Sequence, residues 1–96
     1  MPRSHTIGIP WYERENYVSL IAILDDGYSF PESYDEWLSE ATILRTRFET
    51  LGARTVRVVL NPREFSAWCS ERELRPDENG RVHYAIWFVT GKESAA

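Results

Sequence analysis

Residues 54–69 constrain the fold of this chain more than any other stretch. Arg54-Thr-Val-Arg-Val-Val-Leu60 alternates, placing Val56, Val58 and Leu60 on one face, as a half-buried strand does. Asn61 follows as a helix cap, and Pro62 suits the first helical position. Glu64, three residues past the cap, completes a capping-box pattern. The spacing predicts that this helix buries Phe65, Trp68 and Cys69 and fades near Glu73, before Pro76. A lone strand leaves its backbone donors and acceptors unpaired, so residues 54–60 need a partner. The segment around Ile7 is one candidate, and a second copy of the chain is another.

A helix is expected from Pro10 onward, with Glu13 and Glu15 in its first turns. Tyr17, Leu20, Ile21 and Leu24 then form one apolar stripe, and Gly27 is expected to end it in a left-handed conformation. Val18 to Leu24 is also a near-continuous apolar run, which a buried strand shows as well. Pro31 interrupts a linker, and Ser33-Tyr34-Asp35-Glu36 opens the next helix as a capping box. Trp37, Ala41, Leu44, Phe48 and Leu51 give that helix an inward seam, closed by Gly52. Residues 82–90 are ambiguous. Their β-branched and aromatic content favours strand, while Val82, Ala85, Ile86 and Val89 also fall at helical spacing.

Ninety-six residues fit one domain, able to bury roughly 60–68% of its unfolded surface. We expect an N-terminal arm or short edge strand at 1–9, a single globular domain at 10–90 and a flexible tail at 91–96. Four Trp, five Tyr and four Phe argue against disorder. The net charge is −4, and the first fifty residues hold nine acids and four bases against six and seven in the remainder. No overall basic footprint supports nucleic-acid binding. The only candidate patch is Arg54, Arg57, Arg63, Arg72, Arg75 and Arg81, interleaved with acids. One cysteine excludes an internal disulfide and suits a reducing compartment. No apolar run approaches the ~18 residues of a membrane span, and no signal-peptide layout opens the chain. Cytoplasmic location is the expectation.

Ile9-Pro-Trp-Tyr, Tyr17, Asp25-Asp26, Pro31, Tyr34-Asp-Glu-Trp-Leu38, Pro62, Phe65, Trp68-Cys69, Arg81 and Tyr84-Ala85 together carry a resemblance. Over residues 9–86 the chain resembles a family of small uncharacterised bacterial proteins. The resemblance implies helices over 12–25 and 77–88, and brings no activity, cofactor or site. The run Ile86-Trp-Phe-Val89 is more apolar than that pattern.

No reacting constellation is legible. Cys69 lies two turns into its helix, where a buried structural thiol is the simpler reading. His5 and His83 with Cys69 have no metal-ligand spacing. Asp25, Asp26 and Glu32 match no calcium loop and are expected at an exposed helix end. Isolated glycines exclude a phosphate-cradling loop. We therefore expect no catalytic residue, cofactor or metal. Trp11, Tyr12, Tyr28, Phe30, Tyr34 and Trp37 crowd one junction, either as a hydrophobic elbow or as an aromatic contact surface. Trp87 and Phe88 add a second apolar patch.

The fold expected is a small helix-dominated α+β domain with a minor sheet centred on 54–60. The alternative is α/β, β-α-β-α-β. The function expected is non-enzymatic, by self-association or contact with another protein through Trp11, Tyr12, Tyr28, Tyr34, Trp37, Trp87 and Phe88. The alternative is a small-molecule pocket or minor enzyme built on residues 11–37.

Overall fold

Residues 6–91 are described by the structure, a computed structural model. His5 and the tail residues 92–96 lie outside them. The strand expected at 54–60 runs Arg54–Val59 (β2), and its partner is Thr6–Trp11 (β1). The two are parallel, with Thr6 opposite Arg54 and Trp11 opposite Val59. A hairpin cannot join parallel strands, so the intervening chain must travel back along the sheet. It does so as two helices, Tyr17–Ile23 (α1) and Tyr34–Thr50 (α2). After β2 come Pro62–Glu71 (α3) and Glu78–Ile86 (α4), the latter continued by a π-helical turn over Trp87–Gly91. The protein is a helix-dominated α+β domain around a two-stranded parallel sheet. The β-α-β-α-β alternative fails because both ambiguous segments are helical.

Local chemistry explains most of these boundaries. Ser33 Oγ accepts from the Glu36 amide at 3.1 Å, the N-cap half of the expected capping box, and donates to the Glu36 carboxylate at 3.3 Å. Asn61 Oδ1 accepts from the Arg63 and Glu64 amides at 3.0 and 3.1 Å, with Pro62 opening the helix. Phe65, Trp68 and Cys69 are buried as read. At α4 the Asp77 carboxylate accepts from the Gly80 amide at 3.0 Å. That cap, together with burial of Tyr84 and Ala85 on one face, overrides the strand propensity of Val82 and Ile86.

The two faces of the sheet carry different helices. Side chains alternate along a strand, so Ile7, Ile9 and Trp11 share a face with Thr55, Arg57 and Val59. This face meets α2: the Trp11 ring packs edge-on to Trp37 at 5.1 Å, and Thr55 Oγ1 donates to Glu49 at 2.6 Å. The opposite face holds Gly8, Val56 and Val58. A Cβ on Gly8 would stand 3.0 Å from the Ala85 carbonyl and 2.8 Å from Val89 Cγ2, which marks how closely α4 and its π turn press on β1. Val58, Leu60, Leu20 and Phe65 are fully enclosed, and each large apolar side chain hidden this way stabilises by about 1.5–3 kcal/mol.

Three local expectations are corrected. The helix read from Pro10 begins only at Tyr17, because Pro10 and Trp11 are held in β1 by pairing with Val58 and Val59. The seam of α2 is buried at Trp37 and Ala41, half-buried at Phe48, and exposed at Leu44 and Leu51. A helix of 17 residues is about 25 Å long and overruns the short sheet it covers. Gly27 does not take a left-handed conformation; Gly52 does, at φ 95°. Gly27 is required for a different reason, since an added Cβ would lie 2.1 Å from the Ile21 carbonyl oxygen.

The two glycines should therefore respond differently to alanine. Gly27→Ala forces a backbone shift and should destabilise by about 2–3 kcal/mol. Gly52→Ala meets open space and should cost only about 1 kcal/mol, from its backbone conformation. Urea unfolding of both variants checks the order, and equal losses would contradict it.

Candidate contact surface

The amino-terminal aromatic cluster forms, but most of it faces inward. Tyr12 is sandwiched, stacking on Trp37 at 4.9 Å with 3° between planes and on Phe30 at 5.5 Å with 18°. Trp11, Tyr12 and Trp37 are buried. Tyr34 is half-buried, its hydroxyl donating to the Tyr12 carbonyl at 2.9 Å, and Tyr17 donates to the Pro31 carbonyl at 2.6 Å. These two bonds fasten the linker and the start of α2 to the residues after β1. Tyr28 is the exception, 90% exposed and outside the stack. Of the rings expected to form one surface here, Trp11, Tyr12 and Trp37 are instead core, because the small sheet needs aromatic area to cover it.

A shallow cleft of about 440 Å³ borders this core, lined in part by Tyr12, Phe30, Trp37, Glu40, Glu78 and Arg81. Of residues 11–37, on which a pocket was the alternative expectation, Trp11 and Tyr34 do not line it. The arginine that lines it is already matched, while Glu40 and Glu78 add acidic charge to its walls. Arg81 donates to both oxygens of Asp26, at 2.9 and 2.8 Å, and lies over the Phe30 ring at 5.0 Å. Hydrogen bonds from Arg81 hold the Asp26 carboxyl below its ordinary value. Burial opposes the charge on Arg81, but its hydrogen bonds to Asp26 and the charge interactions with Tyr12, Asp26 and Glu78 together outweigh that and leave it raised. Burial also pushes the Tyr12 hydroxyl up, so it stays protonated.

Asp25 repeats the pattern next door, accepting from Arg75 Nε at 2.8 Å, while its amide donates to the Pro76 carbonyl at 2.9 Å. Of the three acids read as an exposed helix end, Asp25 and Asp26 are thus ties between the α1–α2 linker and the chain around α4, and Glu32 is exposed. Two arginines of the candidate basic patch are thereby neutralised. A third, Arg72, lies over the Trp68 ring at 4.4 Å, and Arg57 lies over Trp11 at 5.6 Å from the sheet. Cys69 is buried, and burial pushes its thiol up, away from thiolate chemistry. His83 is exposed, with Nδ1 3.1 Å from the Asn79 carbonyl. Among the described residues no group of three or more His, Cys, Asp or Glu is arranged to hold a metal ion. No helix there is long and apolar enough to cross a membrane.

Toward the carboxyl end, Trp68 meets Tyr84 edge-on at 5.1 Å and Trp87 at 5.7 Å. Trp87 remains 44% exposed, whereas Phe88 packs against the core. An unfilled apolar surface lies beside them. A groove of about 490 Å³ follows β1 from Thr6 to Pro10, walled by Leu44 and Phe48 of α2 and by Val82, Ala85, Ile86 and Val89 from α4 onward. No charged residue lines it. Leu44, Val82 and Ile86 are 44, 48 and 56% exposed on its rims. Sequence periodicity placed Leu44 in an inward seam and Val82 and Ile86 only at helical spacing in an ambiguous segment. Helical spacing reports which residues share a face and is silent on whether anything lies opposite.

The Asp26–Arg81 tie gives a prediction with a pH signature. Asp26→Asn leaves a nearly enclosed guanidinium without its counter-charge and should cost about 3 kcal/mol at neutral pH. The folded carboxyl titrates below its ordinary 3.8, so its contribution is complete above that pH and is lost as pH falls through the depressed value. The gap between wild type and variant should accordingly narrow below about pH 4. Arg75→Ala, at the exposed pair, should be nearly neutral. Urea titrations across pH check both, and a gap that is small or insensitive to pH would contradict them.

Compared with known proteins, the chain matches no family model, no curated protein and no solved structure. The resemblance read over residues 9–86 therefore carries no argument beyond the sequence itself.

Proposed function

We propose that the protein is a small docking module that acts without catalysis, by protein–protein contact, association with its own copies included. The observation that carries this reading is the uncharged groove along β1, with exposed Leu44, Val82 and Ile86 at its rims. Apolar side chains left open around a concavity favour a partner that covers them. A groove that follows a strand edge suits an extended segment, which gains main-chain hydrogen bonds from the strand and specificity from the flanking side chains. Half-exposed Trp87 and exposed Tyr28 lie outside the groove lining and extend the apolar surface elsewhere.

The cleft beside Tyr12 supports a small-molecule reading less well. Its guanidinium is committed to Asp26, and its rings are stacked on one another. A single buried thiol accords with work in a reducing compartment such as the cytoplasm.

Site-specific photo-crosslinking in cells tests this reading. A photoreactive residue placed at Leu44, Val82 or Ile86 should give a discrete adduct of defined mass. The same residue at Val18, exposed on α1, should not. Absence of an adduct from all three groove positions would overturn the proposal.

A further inference from the structure

The backbone along the groove has a direction that bears on what fills it. The Leu60 amide donates to the Trp11 carbonyl at 2.9 Å. In a parallel ladder the N–H and C=O of one residue point the same way, and successive residues alternate. Trp11, Ile9 and Ile7 therefore face β2, and Thr6, Gly8 and Pro10 turn their backbone groups outward into the groove. The sheet has no third strand among the described residues. Gly8 thus presents a free N–H and C=O there, Thr6 likewise, and Pro10 a carbonyl alone.

We infer that the occupant is a second copy of this chain, its β1 paired antiparallel to the first about a twofold axis at Gly8. This rests on the docking reading above and names its partner. In that register each Gly8 donates to and accepts from the other Gly8, and each Thr6 N–H reaches the opposite Pro10 carbonyl. Pro10 has no N–H to answer the Thr6 carbonyl, so the ladder ends there. Ile7 of one copy falls beside Ile9 of the other, on the face that α2 covers.

Charge points the same way. A twofold contact sets each surface against itself, so like charges within it repel. The groove has none, although the chain carries a net −4. A strongly acidic or basic peptide would find no counter-charge on these walls. The assembly also stops at two, because the far edge of the sheet carries exposed Arg54 and Arg57, and charged side chains guard a strand edge against further pairing.

The test uses the full chain in two measurements. Sedimentation velocity over about 1–500 μM, a range set to bracket weak dimers, should show mass rising from 11.2 kDa toward twice that. Ile86→Glu, checked for folding by circular dichroism, should weaken association at least tenfold. Amide exchange of the unmodified chain should slow at Gly8 as concentration rises, and not at Arg57 on the opposite edge. A dimer with Gly8 exchange unchanged, or with Arg57 protected instead, overturns the β1 pairing while self-association stands. A strict monomer that still crosslinks in cells overturns the second copy and leaves docking intact. Protection of Gly8 independent of concentration assigns the groove to the chain's own termini and also overturns the inference.

Discussion

Parallel pairing of Thr6–Trp11 with Arg54–Val59 is the constraint from which the rest of the molecule follows. Two strands of six residues have two apolar faces and too few neighbours to cover them. One face is closed by α2, through Trp11 against Trp37, and the other by α4 and its π turn, close enough to Gly8 to leave no room for a side chain. The parallel sense also fixes the path, since α1 and α2 must return the chain to the start of β2. What remains is an edge. The ladder has satisfied one side of β1 and left the other open between the walls of α2 and α4.

The aromatic residues mainly serve this small sheet. Tyr12, Trp37 and Phe30 stack into a slab, and two tyrosine hydroxyls pin the linker across it. Asp25 and Asp26 then bind that linker to residues fifty and fifty-five positions later. A buried bidentate pair of this kind contributes modestly to net stability but strongly to placement, because either partner alone is costly to enclose. Here it orients α4, and α4 forms one wall of the groove. Tie, wall and open edge are consecutive consequences of one packing arrangement.

Much of the fold was legible where local chemistry decides it. The caps at Ser33 and Asn61 and the stripe Phe65-Trp68-Cys69 need only near neighbours in sequence, and they stand where the pattern put them. The class, helix-dominated with a small sheet around 54–60, followed from them. Long-range features were less visible. Nothing near Asp26 announces Arg81, and nothing near Pro10 says that a strand holds it rather than a helix. Gly27 looked like a helix stop, yet its need arises from the Ile21 carbonyl above it. The contact surface suffered most: Leu44, Val82 and Ile86 have helical spacing, and the overhang of α2 and the lack of a third strand among the described residues leave them open.

The most direct measurement is an isotope-filtered nuclear Overhauser experiment on an equimolar mixture of labelled and unlabelled protein, which detects only contacts between copies. If the edge of β1 is the mating surface, methyl signals of Ile7 should show cross-peaks to those of Ile9 on the other copy, with Ile86 methyls close by. An associated sample whose intermolecular cross-peaks arise solely from Trp87, Tyr28 or the outer face of α2, or one with no intermolecular cross-peaks at millimolar concentration, would contradict it.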